Sequence, residues 1–218
     1  MCGRFNLRTN LTVIADTFGV KPRQMELPLR FNIAPTQDVL AIRQGDQERE
    51  LFQPRWGLIP SWAKDPSIGN RMINARCETV AEKPSFRSAF KRRRCLIPAT
   101  GFYEWKGKKS PKQPFHIHMQ DDSVFGFAGL WETWKSPDGP TESCTIITTE
   151  PNSLTAEIHD RMPVILHEDD YTIWLTDDEP DELRGLLMPY PADEMVAEPV
   201  SRHVSNARNE GPECLNPA

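Results

Sequence analysis

Cys2 has the side chain whose place in the chain most narrows its chemistry. It follows Met1 directly and is small, so an aminopeptidase is expected to remove the methionine. The mature chain would then begin with a cysteine carrying a free α-amine and a thiol on adjacent carbons. An aldehyde condenses with such an amine to an imine, and the neighbouring thiol closes a five-membered thiazolidine. An internal cysteine has no amine to offer. Reference pKa values of about 7.7–8.0 for an α-amine and about 8.5 for a thiol leave both partly nucleophilic near neutral pH. Against this stands the ordinary behaviour of chain ends, which fray and carry small residues without function.

Four further groups carry chemical potential. Glu104 lies among aromatics in Gly101-Phe102-Tyr103-Glu104-Trp105. Apolar surroundings raise a carboxyl pKa and suit it to acid–base work, but a surface glutamate paired with a lysine fits the local sequence equally well. His159 stands in Glu157-Ile158-His159-Asp160-Arg161-Met162-Pro163, crowded by polar groups, where a structural, hydrogen-bonded ring is the commoner outcome. Asn74 and Arg76 fall in Ile73-Asn74-Ala75-Arg76. An asparagine amide can position an amine or a phosphate and an arginine can clamp a phosphate, whereas a helix N-cap is the plain alternative for Asn74. Trp56, Trp62 and Trp105 fit either a core or stacking faces for unpaired bases. His116 and His118 alternate as on one strand, but without a third ligand at sensible spacing they predict no metal site.

Charge places a partner near these groups. The 218 residues carry a net charge of −5, which by itself argues against nucleic acid. The distribution changes that. From Lys83 to Lys112 there are ten Lys or Arg and a single acid, Glu104, while Glu168 to Glu198 holds eleven Asp or Glu and one base, Arg184. A local basic field attracts phosphate even on an acidic chain, although such a run is often only a solvated face. Hydrophobic residues make up 38% and charged residues 26%, enough for a packed core. No apolar run is long enough to span a bilayer and no signal peptide is evident, so a cytoplasmic protein is expected. The five cysteines are widely spaced and form no C-x-x-C, which speaks against a disulfide framework or a zinc-thiolate site.

The elements that must position these groups are short. Asn10 to Gly19 reads as a capped helix with Leu11, Ile14, Ala15 and Phe18 on one face. Asp38–Arg43 and a run near Glu50-Leu51-Phe52 flank a Gly45-Asp46 turn and predict a hairpin. Ala75–Lys83 and Ser85–Arg92 read as helices. Runs at Cys95–Pro98, Gly101–Trp105, Phe115–Met119, Val124–Trp131 and Ser143–Thr149 predict strands. A short helix over Asn152–Ile158, a strand at Pro163–Leu166, acidic helices at Asp169–Leu175 and Asp181–Leu187 and a last strand at Met195–Ser201 complete the reading. The even spacing of the strands predicts a single α+β domain, with an antiparallel β-rich core curled toward a barrel and short flanking helices.

Six stretches, in order along the chain, resemble the SOS response-associated peptidase (SRAP) family. They are Met1-Cys2-Gly3-Arg4-Phe5, Asn32-Ile33-Ala34-Pro35, Trp56-Gly57-Leu58-Ile59-Pro60-Ser61-Trp62, Asn74-Ala75-Arg76-Cys77-Glu78-Thr79, Gly101-Phe102-Tyr103-Glu104-Trp105 and Ile158-His159-Asp160-Arg161-Met162-Pro163. The resemblance covers nearly the whole chain and implies one SRAP-like domain over residues 2–218. It implies a protein that senses abasic sites in single-stranded DNA, crosslinks to them covalently through Cys2 and shields the lesion during the DNA damage response. Carried over by motif, Cys2 is the nucleophile, Asn74 positions its α-amine and the sugar, Glu104 is the acid–base group, and His159 helps open the deoxyribose ring. Arg4 and Arg76 would bind backbone phosphates, with Trp62 and Trp105 stacking beside them. No metal or other cofactor is expected. The implied protein is a monomer, nucleoid-associated when bound to DNA. Two other classes remain open: a hydrolase with Cys2 as N-terminal nucleophile, and a non-covalent single-stranded nucleic-acid-binding module in which Cys2 is incidental.

Overall fold

A computed structural model of the chain describes residues 2–21, 25–136, 139–177 and 179–218. Strand β1 (Phe5–Leu7) leads into helix α1 (Leu11–Phe18). The Asn10 side chain accepts from the Val13 N–H at 3.0 Å, and Gly19 ends the helix at φ 60°, the left-handed conformation glycine adopts without strain. Ile14, Ala15 and Phe18 form the buried stripe. Strand β2 (Arg30–Ile33) is followed by β3 (Ala41–Gln44) and β4 (Arg49–Phe52), which form the expected hairpin, and by the short β5 (Arg55–Trp56) and β6 (Asn74–Arg76). Helix α2 (Arg87–Arg92) precedes the main strands: β7 (Arg94–Ala99), β8 (Gly101–Lys106), β9 (Gln113–Met119), β10 (Phe125–Ser136) and β11 (Gly139–Thr149). The chain closes with α3 (Ser153–Ala156), β12 (Met162–Pro163), β13 (Ile165–Leu166), α4 (Tyr171–Thr176), α5 (Pro180–Gly185) and β14 (Met195–Pro199).

The α+β class stands, but the expected barrel does not form. The strands divide into two open sheets, ordered β14-β9-β8-β1-β2 and β12-β11-β10-β7-β3-β4. The second also takes β13 beside β10, and β5 and β6 parallel to β11. The chain changes sheet at Thr100, between β7 and β8, so strands that look evenly spaced in sequence belong to different sheets. Closure needs end strands long enough to tilt and pair around the ring. The end strands of the second sheet have only two and four residues.

The helix expected over Ala75–Lys83 is also overturned. Its first part is β6, whose backbone pairs with Ile146, Ile147 and Thr148 of β11, and turns follow. Pairing with a long strand already in place outweighs a local helical preference that is worth only tenths of a kcal/mol per residue (~0.7 at most) for ordinary residues.

Phe5 and Phe102 of the first sheet meet Phe127 of the second with ring centroids 5.8 and 6.1 Å apart. These edge-to-face contacts sit where the two sheets press together. Side chains alternate along a strand, so Glu104 shares the face of Phe102, and Gly101, Tyr103 and Trp105 take the other. A second, smaller core forms on that other face, where Tyr103 packs with Val200, Val204 and Cys214. Gly101 has a specific reason to be glycine: a Cβ there would lie 2.1 Å from His116 Nε2. Gly101→Ala must therefore push the buried imidazole aside, and a loss of about 1–3 kcal/mol in urea unfolding is expected. An unchanged midpoint would show that the ring does not press on β8.

Candidate active site

The first sheet sets the N-terminus. Phe5 and Asn6 pair with Phe102 and Gly101, and the Tyr103 N–H donates to Arg4 O at 2.9 Å. This antiparallel register carries residues 2–4 along β8 toward Glu104. Cys2 is fully buried and belongs to the main core. Burial, with a further push from the Glu104 charge, drives its thiol far above the ordinary range. The free-solution expectation of a partly ionised thiol therefore fails here. The sulfur is held protonated, and part of that push comes from a neighbouring side chain.

Glu104 is that neighbour. It is 4% exposed, which removes the surface-glutamate alternative. Burial pushes its carboxyl up to about 7, and the Asp160 carboxylate adds a weaker push in the same direction. Such a group exchanges protons in both directions at neutral pH. Its charge acts on the Cys2 thiol.

His159 lies in the turn after α3, its N–H donating to Thr155 O at 2.8 Å. Its Nδ1 accepts from the Arg161 N–H at 3.1 Å, which puts the proton of the neutral ring on Nε2. The Asp160 carboxylate is 2.9 Å from the same Nδ1 and would favour a charged ring, but burial prevails and lowers the pKa. The turn is tied down by Arg161. Its guanidinium grips both Glu78 oxygens and donates to Thr148 O at 2.6 Å. The same bonds hold the Glu78 carboxyl at about 2. Glu78 follows directly on from β6, so this clamp joins the His159 turn to the strand bearing Asn74 and Arg76. Glu78 and Arg161 lie within two of the family-like stretches, and only their pairing across the fold shows what they do.

Asn74 is half-buried on β6 rather than at a helix cap. Its Nδ2 reaches Ile146 O at 3.5 Å, and its Oδ1 is buried with no hydrogen-bond partner among the described residues. A buried carbonyl oxygen left bare costs roughly 1–3 kcal/mol, so it invites a donor. Arg76 lies two residues on, on the same strand face, and is exposed.

Arg4 is committed inward. Its Nη1 donates to Asn32 Oδ1 at 2.8 Å and Val204 O at 2.9 Å, and the guanidinium lies 5.7 Å from the centre of the Trp105 ring. Asn32 in turn donates to the carbonyls of Val204, Asn206 and Asn209. Trp105 bonds Ser205 Oγ through Nε1 at 3.0 Å. Together with Lys112 and Arg202 it lines a cavity of about 550 Å³. Trp62 stands apart, 58% exposed, with no ring contact to the other site residues among those described. Trp56, by contrast, is core and touches Phe5 at 5.2 Å.

The basic stretch does not form one field. Arg94 is buried and donates to the carbonyls of Phe90, Lys91, Trp174 and Asp177. Arg93 pairs with Glu132 at 2.6 Å. The exposed cations are shared between α2 and the turn joining β8 to β9. Among the described residues, no helix is long and apolar enough to cross a membrane.

The arrangement is consistent with covalent chemistry at Cys2. The chain belongs to the SOS response associated peptidase (SRAP) family, whose profile matches residues 1–207. It is 46% identical over 222 aligned positions to the abasic site processing protein YoqW of Bacillus subtilis, covering 99% of each chain. It is 36% identical to the abasic site processing protein HMCES of Xenopus tropicalis, over 77% of this chain and 57% of that one. A crystal structure of a protein from Bacteroides thetaiotaomicron superposes with a TM-score of 0.87 at 27% identity, covering 100% of both chains.

Proposed function

We propose that the protein traps abasic sites in single-stranded DNA as a thiazolidine formed by the α-amine and thiol of Cys2 once Met1 is gone. The observation that carries this reading is the buried Cys2 beside a carboxyl whose pKa is pushed up to about 7. The names of the relatives support the substrate. The ring-opened abasic sugar presents an aldehyde. The amine adds to its carbon, and the carbinolamine loses water to give an imine, with the protonated Glu104 delivering a proton to the departing hydroxyl. The sulfur then attacks the imine carbon. The imine forms protonated and keeps that proton as the ring N–H, while the thiol proton passes to the Glu104 carboxylate, so Glu104 ends protonated as it began. Asn74 Oδ1 accepts an N–H of the amine and fixes its approach. His159 serves the opening of the sugar ring. On this reading the protein works as a monomeric single domain in the cytoplasm, bound to the nucleoid where DNA is damaged.

Purified protein mixed with a single-stranded oligonucleotide bearing one abasic site should give a covalent band on a denaturing gel that the intact oligonucleotide does not give. Native binding without that band would favour the non-covalent module, and turnover of amides without DNA would favour the hydrolase. Binding should also weaken with salt, with a slope of roughly −0.7 per phosphate contact. Arg76→Glu should flatten the slope by about one such contact, because Arg76 is exposed on the Asn74 face. An unchanged slope would remove Arg76 from the DNA path.

A further inference from the structure

The first sheet carries a second cluster, on the face away from Glu104. His116 lies opposite Tyr103 of β8, whereas Glu104 lies opposite Phe115. His116 and His118 share that face, with rings stacked 4.7 Å apart at an interplanar angle of 19°. On the other side of β9 is the edge strand β14, and its Glu198 pairs directly with His116. The third ligand missing from the sequence spacing is thus supplied by a strand some eighty residues away (~80 by the numbering), placed opposite by register. One ligand atom from each of the three lies within 4.8 Å of the others.

We propose that His116, His118 and Glu198 form a site for a zinc-class divalent cation. Two imidazoles and one carboxylate are a donor set that Zn²⁺ takes with an open fourth position. His118 Nδ1 is 2.9 Å from Met119 O and 3.0 Å from Asp122 Oδ1. A proton on Nδ1 satisfies both and turns the Nε2 lone pair outward, the outer-partner arrangement that orients metal-binding histidines. Nε2 then faces Glu198 Oε2 at 3.7 Å. Two lone pairs facing each other repel, and a divalent cation between them would turn that repulsion into two bonds. That gap is long for a hydrogen bond and close to the roughly 3.3 Å that separates two ligands across a tetrahedral zinc with bonds of about 2.0 Å. His116 Nε2 is engaged by the Asn6 amide at 2.9 Å, which leaves Nδ1 for the cation. Coordination there moves the ring proton to Nε2, where Asn6 meets it with Oδ1 after turning its amide over; the turned amide then donates to the Thr100 hydroxyl and gives up the contacts its present orientation makes with Arg8 Nε and the Tyr103 hydroxyl. The cation pins β14, a sheet edge, to β9.

The test uses the full chain stripped with chelator and carrying Cys2→Ala, because an N-terminal aminothiol is itself a chelator. Titration with Co²⁺ should give one equivalent of a visible ligand-field band without thiolate charge transfer, and Zn²⁺ should raise the melting temperature in proportion to the logarithm of its excess. Glu198→Gln, at an exposed side chain, should weaken binding by at least about tenfold, and His118→Asn should abolish it. In the Cys2 protein, Glu198→Gln should leave crosslinking to the abasic oligonucleotide at the wild-type rate. The proposal is overturned if Zn²⁺ changes neither spectrum nor melting, if both variants bind as the parent does, or if the band is that of a thiolate complex.

Discussion

Cys2→Ala should give no adduct that survives a denaturing gel, yet borohydride should fix one. The alanine still carries an α-amine and forms the imine, and only the sulfur that would close the ring is missing. An open imine hydrolyses, so the stable band is lost; reduction turns it into an amine that persists. The same imine is prone to β-elimination of the 3′ phosphate, so this variant should nick the strand where wild type protects it. Adding one residue before Cys2 removes the free amine next to the thiol and should abolish both behaviours. Intact mass of the active protein should accordingly lack Met1. If the extended protein still crosslinks, and Cys2→Ala gives nothing even with borohydride, sulfur alone is the nucleophile and the thiazolidine is wrong.

Glu104→Gln comes next in size. Glutamine keeps the shape and burial but can neither give a proton to the departing hydroxyl nor take one from sulfur. Loss of a positioned acid–base group typically costs about 10²–10⁴-fold in rate, so crosslinking should slow by that much while binding to the oligonucleotide stays near wild type. The wild-type rate should also bend near pH 7, where the carboxyl changes state, and the bend should vanish in the variant. Stability follows the same group. The folded carboxyl holds its proton up to about 7, while its ordinary value is 4.5. The unfolded chain therefore loses the proton first. Stability that is complete below the lower value declines as pH rises through the upper one, by about 3 kcal/mol for a shift of this size. Glu104→Gln should flatten that decline. Equal slopes of stability against pH in the two proteins would mean that the carboxyl titrates normally.

Local chemistry was legible where the determinants are local. Asn10 and Gly19 delimit α1, the Gly45-Asp46 turn marks the hairpin, and the aromatic and β-branched runs from Cys95 to Thr149 are strands. The choice of partner strand was not legible. Nothing near Thr100 marks the change of sheet, and nothing in Asn74-Ala75-Arg76 states that Ile146–Thr148 will pair with it in parallel. The site divides in the same way. Glu104 among aromatics leaves a buried carboxyl and a surface ion pair equally open in the sequence, and burial is observed. The partners of Arg4 could not be foretold, because Val204 lies 200 residues along the chain. Arg94 reads as one more cation in a basic run until four carbonyls are found around its guanidinium. Glu198 becomes a neighbour of His116 only once β14 is laid on β9.

The grip of Arg4 and Asn32 on the carbonyls of Val204, Asn206 and Asn209 bears on the timing of synthesis. The residues that anchor the backbone just beyond Cys2 leave the ribosome 200 positions after Arg4 does. A nascent chain whose amino end is already free still lacks the carbonyls that hold Arg4, and also lacks the Ser205 hydroxyl that holds Trp105. The nucleophile is made long before its frame is complete. A truncated product therefore carries the same aminothiol without the setting that directs it.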